Sequence, residues 1–277
     1  MLLNGKLADF QRPCDMTTIP RMLVTLVFML LAAGCARQED SDAAEPSSAA
    51  GQAQPGSDSV FRIQPLGPVA ELKNAALATE PPRETGDFRP ADLVELTTLD
   101  PSIKLDIRYA STNNFLSTRL YDEPRAFLQR PAAEALVRAH RAARKHGYGL
   151  LIHDAYRPWW VTKVFWDATP KSLREFVADP ARGSRHNRGA AVDLTLYDLK
   201  TGKAVEMPGR YDEMTERSSP DYAGGTAAQR EHRDLLRALM EAQGFTVYES
   251  EWWHFDYRDW RQYPILNVTF EELDAQS

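Results

Sequence analysis

The sequence predicts an α+β fold in which an antiparallel sheet is flanked by helices. Segments that alternate apolar and polar side chains, as half-buried strands do, interleave with segments of helical periodicity. The two kinds of segment do not follow the regular spacing of βαβ units, which disfavours a parallel, doubly wound sheet. With 43% hydrophobic and 10% aromatic residues, the 277-residue chain can bury a core, so disorder throughout is excluded.

The strands are predicted from short apolar or alternating runs. In the run AAVDLTL, Asp193 and Thr195 share one face of the strand, because successive side chains point to opposite faces. His254 and Asp256 share a face in the same way. The predicted strands are residues 103–109, 148–153, 190–196, 245–248 and 252–257.

The helices are predicted from periodicity and from their end signals. Pro131 suits the first turn of a helix over 131–146, and Gly147 suits its end. Residues 158–168 carry an apolar, Trp-rich stripe. A helix over 226–243 opens with a capping box formed by Thr226 and Gln229, and Gly244 follows its end.

Charge and cysteine content exclude several classes of function. The 33 Lys and Arg residues face 39 Asp and Glu, giving a net charge of −6 and a pI of about 5.6. A nucleic-acid partner is not expected, because it would require a basic surplus. Both cysteines, Cys14 and Cys35, lie in the first 35 residues, so the rest of the chain has neither a disulfide framework nor a catalytic thiol.

The N-terminus has the features of an export signal. Residues 22–33 are apolar except for Thr25, follow Arg21, and are too few to span a bilayer, which takes about 20 residues. Ala32, Ala33 and Gly34 before Cys35 resemble a bacterial lipoprotein signal. That resemblance implies a lipidated Cys35 on the periplasmic face of a bacterial membrane, with the outer membrane favoured. The alternative is a buried helix with an incidental cysteine.

Three regions follow from these features. Residues 1–34 are predicted to be a signal peptide, with Met1, Met16 or Met22 as the start. Residues 35–90 are predicted to be the lipidated cysteine and a flexible tether, since 36–59 hold almost no large apolar residue. Within this region, 60–90 are Pro-rich and mixed, and are predicted to be extended and partly packed. Residues 91–277 are predicted to form one folded domain.

Two histidines and one carboxylate form a candidate metal site. His186, Asp193 and His254 suit a catalytic Zn²⁺ with an open fourth position. His186 and Asp193 are seven residues apart, so one straight strand would point them to opposite faces. Gly189 supplies a bend that places His186 on a loop and Asp193 on a strand. Glu251 has the wrong parity for the face of His254, so it precedes the strand or lies on a bulge.

These residues predict hydrolysis by an activated water. A zinc ion lowers the pKa of its bound water to about 7, and a nearby carboxylate, here Glu251, can take the proton. Arg157, in the segment DAYRP, would supply a fixed positive charge for the developing oxyanion.

The pattern S-x-H-x(6)-D followed by E-x-W-H resembles the metallopeptidases that include D-alanyl-D-alanine dipeptidases and D,D-carboxypeptidases, whose fold is shared with hedgehog-type domains. The dipeptidase branch is resembled in particular, over about residues 96–263. The strings that carry this are LDIRYAS at 105–111, NNF at 113–115, DAYRP at 154–158, GAAVDLTL at 189–196 and YDEMTERSSP at 211–220.

The resemblance implies roles for individual residues. His186, Asp193 and His254 would bind one Zn²⁺, with Glu251 as general base and Arg157 stabilising the tetrahedral intermediate. Ser184 and Asp212 would hold the ends of a small D,D-dipeptide, with Asp212 facing its ammonium group. Residues 91–277 would then be a zinc D,D-dipeptidase domain that splits D-alanyl-D-alanine in cell-wall dipeptide turnover, with membrane contact only through the lipid.

Two other functions stay open at the level of sequence. One is a D,D-carboxypeptidase or endopeptidase that acts on peptidoglycan stem peptides with the same metal site. The other is a metal-binding wall module without catalysis, which the presence of Glu251 disfavours. Three further arginines near the metal site either attract a substrate carboxylate or form a solvated loop; they are Arg182, Arg185 and Arg188. His153 is a candidate for support of the Arg157 segment.

Overall fold

The computed structural model describes residues 60–275. The predicted signal peptide at 1–34, Cys35 and residues 36–59 of the predicted tether lie outside these residues. None of the helices between residues 60 and 275 combines the length and the apolar character needed to cross a membrane.

The fold is α+β, as the sequence predicts, with helices around a main sheet and a second sheet of two strands that the sequence does not predict. The helices are α1 (Val69–Leu77), α2 (Leu96–Leu99), α3 (Arg130–Arg144), α4 (Trp159–Ala168), α5 (Ala227–Glu241) and α6 (Phe270–Asp274). The strands are β1 (Leu93–Glu95), β2 (Lys104–Leu105), β3 (Phe127–Gln129), β4 (Tyr148–Asp154), β5 (Ala191–Asp198), β6 (Phe245–Tyr248) and β7 (Glu251–Tyr257). Pro131 lies in the first turn of α3, and both hydrogen bonds of the Thr226–Gln229 capping box form.

The main sheet has five strands in the order β2-β4-β5-β7-β6. All neighbours are antiparallel except β2 and β4, which are parallel. The predicted strand over 103–109 is shortened to Lys104–Leu105, because Arg108–Ala110 forms a 3-10 turn. A separate two-stranded antiparallel sheet joins β1 and β3.

The core lies between the sheet and its helices. Seven of the eight residues of β5 are buried, so this central strand is covered on both faces. Helices α3 and α5 pack against each other and against the sheet, while α4 packs against α1. The Trp-rich stripe of α4 is buried, as the sequence predicts.

The segment before residue 91 differs from the extended tether that its composition predicts. Helix α1 forms within it and contacts α4, burying Ala76 completely. The Glu84 carboxylate pairs with the Arg188 guanidinium and accepts a hydrogen bond from the backbone N–H of Ile265. Pro-rich composition disfavours regular structure locally, but the contacts of α1 with α4 supply the burial that stabilises it.

Candidate active site

Three neighbouring strands bring three functional residues side by side. Asp154 on β4 lies opposite Asp193 on β5, and Asp193 lies opposite His254 on β7. A bulge makes the first pairing possible: Ile152 pairs with Leu194, so His153 is the extra residue. A bulge changes which face the following side chains take. Asp154 therefore joins the row of Asp193 and His254.

His186 reaches this row from a short 3-10 turn, His186–Arg188. Gly189 ends the turn with φ = 63°, a left-handed conformation that suits glycine. The chain then enters β5 at Ala191. The prediction that a bend at Gly189 separates a loop His186 from a strand Asp193 is confirmed.

The three predicted metal ligands converge. His186 Nε2 lies 3.1 Å from His254 Nδ1 and 3.2 Å from Asp193 Oδ1, and His254 Nδ1 lies 3.0 Å from Asp193 Oδ1. All three residues are buried. Ligand atoms about 2.0–2.1 Å from a tetrahedral zinc lie about 3.3 Å from one another, so the observed spacing fits such an ion.

The other nitrogen of each imidazole is held by an acceptor. His186 Nδ1 donates to the carbonyl oxygen of Ala155 at 2.6 Å, and His254 Nε2 donates to Asp256 Oδ1 at 2.9 Å. Each bond leaves the lone pair of the converging nitrogen free for a metal. Asp193 Oδ1 is buried and receives no hydrogen bond from the residues that the structure describes. A buried carboxylate oxygen without a donor is an expected ligand, so the residues fit a divalent cation.

Glu251 lies at the start of β7, beside the cluster. Tyr248 pairs with Glu251, whereas Val247 already pairs with Phe255, so three residues of β7 bulge between these pairs. The sequence leaves open whether Glu251 precedes the strand or lies on a bulge; it is the first residue of β7, directly before this irregularity. Its Oε2 lies 3.8 Å from His254 Nδ1. Burial, with a smaller effect of Asp193, raises the pKa of Glu251 to about 7, although His254 and Arg157 oppose the rise. This value suits a general base near neutral pH.

Arg157 is held rigidly next to Asp193. Its Nε donates to Asp154 Oδ2 at 2.8 Å, and its Nη2 lies 3.6 Å from Asp193 Oδ2. The guanidinium also stacks over Phe165 and Tyr109. A buried cation in this position can stabilise a negative charge that develops beside the metal ligands.

The two predicted substrate-binding residues line the same cleft as the metal cluster. Ser184 Oγ accepts a hydrogen bond from the backbone N–H of His186. The Asp212 carboxylate accepts from the Tyr109 hydroxyl at 2.9 Å. Burial, followed by the negative charge of Asp193, raises the pKa of Asp212 well above its ordinary value. A substrate ammonium would relieve this cost by pairing with the carboxylate.

Four residues of the site carry no role in the sequence prediction. Asp154 fixes Arg157, Asp256 orients His254, Tyr109 contacts Asp212, and the Tyr211 hydroxyl lies 3.1 Å from Asp193 Oδ2. For Asp256 the sequence contains a partial indication, because strand parity places it on the same face as His254. The other three depend on a bulge or on loop positions, which strand periodicity does not encode.

The remaining histidines lie away from the metal cluster. His153 contacts the Asp106 carbonyl and packs its ring on Tyr211, with ring centroids 4.7 Å apart. It therefore supports the site only indirectly. His140 is buried in α3 and bonds to Ser102 and to the backbone of Leu150, so it has a packing role.

A family model for D-ala-D-ala dipeptidases matches residues 89–273. The D-alanyl-D-alanine dipeptidase of Escherichia coli (strain K12) is 36% identical over 179 residues, which cover 65% of this chain and 91% of that protein. The enzyme of the same name from Enterococcus faecium is 36% identical over 180 residues, 58% of this chain and 89% of that protein. The D-alanyl-D-alanine dipeptidase of Streptomyces coelicolor is 34% identical over 193 residues, which cover 63% of this chain and 93% of that protein. The match contains the metal cluster and its cleft, and the chain belongs to the D-ala-D-ala dipeptidase family of metallopeptidases.

Proposed function

We propose that this protein is a zinc-dependent dipeptidase that hydrolyses D-alanyl-D-alanine to two molecules of D-alanine. The observation that carries the proposal is the convergence of His186, Asp193 and His254 beside Glu251 and Arg157. The names of the relatives, all D-alanyl-D-alanine dipeptidases, support the substrate. Zinc is favoured by the ligand set of two imidazoles and one carboxylate.

Each residue has a distinct task in this reaction. When bound by His186, Asp193 and His254, zinc supplies a Lewis acid that polarises the scissile carbonyl and lowers the pKa of water. Glu251 accepts the proton of the attacking water on a carboxylate oxygen and passes it to the leaving amino group. Arg157 faces the developing oxyanion with a guanidinium that Asp154 holds in place.

Substrate selection rests on the ends of the dipeptide. The Asp212 carboxylate lies in the cleft and pairs with a free ammonium group, whereas an N-blocked stem peptide has no such group. Binding energy from this contact favours a dipeptidase over a carboxypeptidase that acts on longer chains.

The test is an assay of D-alanine release by the zinc-loaded chain. We expect release from free D-Ala-D-Ala and none from an N-acylated peptide that ends in D-Ala-D-Ala. Release from the blocked peptide would move the protein to the carboxypeptidases. If the zinc-loaded protein releases D-alanine from neither substrate, a non-catalytic metal-binding module would be favoured.

The general base is tested with Glu251→Gln. This change removes the proton acceptor but no metal ligand, so we expect kcat to fall about 10²–10⁴-fold with zinc content unchanged. Glu249→Gln, an exposed glutamate two residues away in the hairpin turn, is the matched control and should keep full activity. Full activity of Glu251→Gln would refute this mechanism.

We further infer that the enzyme is lipid-anchored through Cys35 on the periplasmic face of a bacterial membrane, most consistently the outer membrane. The short apolar run at 22–33 and the small residues before Cys35 support this. The proposal predicts that metabolically supplied radioactive palmitate labels the protein and that Cys35→Ser abolishes the label. Recovery of unlabelled wild-type protein from the cytosol would contradict it.

A further inference from the structure

The cleft offers Asp212 to the ammonium end of a dipeptide, and the carboxylate end also needs a partner. A free carboxylate bound in a partly buried cleft requires a cation or several hydrogen-bond donors. Besides the histidines, two cationic side chains line this cleft, Arg157 and Arg185. Arg157 is already engaged by Asp154 and Asp193. Arg185 is therefore the candidate.

The three arginines around His186 have different surroundings. Arg182 is exposed, and it does not line the cleft. Arg188 is buried and does not line the cleft either; it pairs with Glu84 and donates to the Tyr263 carbonyl. Arg185 is half-buried and lines the cleft, directly between Ser184 and His186 in the chain. One arginine of the predicted cluster thus reaches the substrate space.

The Arg185 guanidinium is positioned but not saturated. It stacks over the rings of Tyr248 and Trp260, 5.4 Å and 5.0 Å from their centroids. Asp256 is the carboxylate within ion-pair distance of it among residues 60–275, and it meets Nε at 3.4 Å. A guanidinium carries five N–H donors, more than the Asp256 carboxylate and the Tyr248 hydroxyl occupy. Its planar fork is well suited to bind a second carboxylate.

Arg185 also lies close to the metal cluster. Asp256 bonds to His254, so Arg185 lies one residue layer behind a metal ligand. The carboxylate carbon of a C-terminal residue is three covalent bonds from the scissile carbonyl carbon, a span of less than about 4 Å, so its partner must lie near the metal cluster. The Ser184 hydroxyl, which also lines the cleft, is available as a second donor.

On the basis of the proposed function, we propose that Arg185 binds the free C-terminal carboxylate of the substrate and thereby restricts the enzyme to peptides whose last residue follows the cleaved bond. Asp212 and Arg185 then recognise the two opposite charges of a zwitterionic dipeptide. An endopeptidase substrate, which continues beyond that residue, lacks the charge that Arg185 requires.

The experiment compares D-Ala-D-Ala with its C-terminal amide in wild type and in Arg185→Gln. For the free dipeptide we expect Arg185→Gln to lower kcat/KM about 10- to 100-fold, mainly through KM. The amide should change less than threefold, so the preference for the carboxylate collapses. Arg185→Lys should restore part of it. An equal loss on both substrates, or no loss, would overturn the proposal.

Two controls separate carboxylate recognition from other effects. Arg182→Gln, three residues earlier and exposed, should keep the wild-type preference. Glu251→Gln removes the general base but leaves Arg185 and its Asp256 partner in place, and should slow both substrates alike.

Failure of the proposed function is detected separately by binding. Calorimetry with zinc-loaded Glu251→Gln measures Kd for the dipeptide and for its amide without turnover. The same measurement is made on the double variant that also carries Arg185→Gln. A Kd ratio that depends on Arg185 supports the proposal even if wild type does not hydrolyse the dipeptide. A ratio independent of Arg185 overturns it.

Discussion

The two carboxylate oxygens of Asp193 have different partners. Oδ1 meets the two imidazoles, whereas Oδ2 receives the Tyr211 hydroxyl at 3.1 Å and lies 3.6 Å from the Arg157 guanidinium. The hydrogen bond from Tyr211 and the ion pair with Arg157 at Oδ2 fix the rotation of the carboxylate, so Oδ1 is already aimed at the metal position. Tyr211 keeps its proton, because burial and the nearby Asp212 raise its pKa well above the ordinary value.

We expect Tyr211→Phe to weaken zinc binding about 10- to 100-fold, since it removes a hydrogen bond to a metal ligand without removing the ring. Competition with a chromophoric chelator measures this directly. Tyr197→Phe is the matched control, because it also removes the hydroxyl of a buried tyrosine. Tyr197 lies on β5, as Asp193 does, but its hydroxyl bonds to the Ser102 carbonyl and not to a metal ligand. Equal zinc affinity of Tyr211→Phe and wild type would show that Asp193 needs no such support.

Among the elements, the turn at 186–189 decides whether His186 reaches the sheet. Gly189 has a positive φ, and a Cβ atom there would lie 2.4 Å from Leu93 Cδ2. Its carbonyl accepts from the backbone N–H of Gln129, and the Gln129 side chain donates to the Arg188 carbonyl. Strand β3 therefore holds the turn from behind, and both the conformation and the space require glycine.

Gly189→Ala is expected to combine left-handed strain of about 1–2 kcal/mol with overpacking of about 1–3 kcal/mol, and to weaken zinc binding as His186 shifts. Urea unfolding and chelator competition report the two effects. Gly147→Ala is the control: it has φ = 87°, but nothing lies within 4 Å of its Cβ position. That variant should lose stability only. Zinc affinity unchanged in Gly189→Ala would refute the link between turn and metal.

Periodicity and end signals are sufficient to predict the three long helices and the strands of the main sheet, and parity predicts how the loop His186 meets the strand Asp193. The alternation around Asp193 and the odd spacing to His186 together required a bend, and Gly189 provides it. The role of Asp154 could not be predicted, because a bulge at His153 changes the face to which Asp154 points. An alternating sequence pattern does not show where a bulge occurs. Helix α1 could not be predicted from its own sequence, because its stability comes from contact with α4, more than eighty residues further along the chain.

For the molecule as a whole, acid stability should depend on His153. Burial, followed by the positive charge of Arg108, lowers the pKa of this imidazole to about 3. In the unfolded chain the pKa is about 6.5, so below that pH the unfolded state binds a proton that the folded state does not. The stability that the neutral ring contributes is complete above pH 6.5 and is lost as the pH falls towards 3.

Replacement of His153 by Phe should therefore flatten the acid limb of the stability profile. Between pH 6.5 and 4 we expect the free energy of unfolding of wild type to fall more steeply than that of the variant, by about 1.4 kcal/mol per pH unit. Urea titrations at several pH values measure the difference. His146→Gln, at an exposed position, should follow wild type. Parallel profiles for wild type and His153→Phe would contradict this origin of acid sensitivity.

The pairing of Glu84 with Arg188 has a consequence for where the working enzyme begins. Every proposed ligand, base and substrate contact lies after residue 150, and the family match starts at residue 89. A chain shortened to that match would keep all of them. It would nevertheless leave the Arg188 guanidinium buried without its carboxylate, on the turn that carries His186. The smallest complete enzyme is thus longer than the segment that carries the catalytic and binding residues. It includes Glu84, which does not contact the substrate.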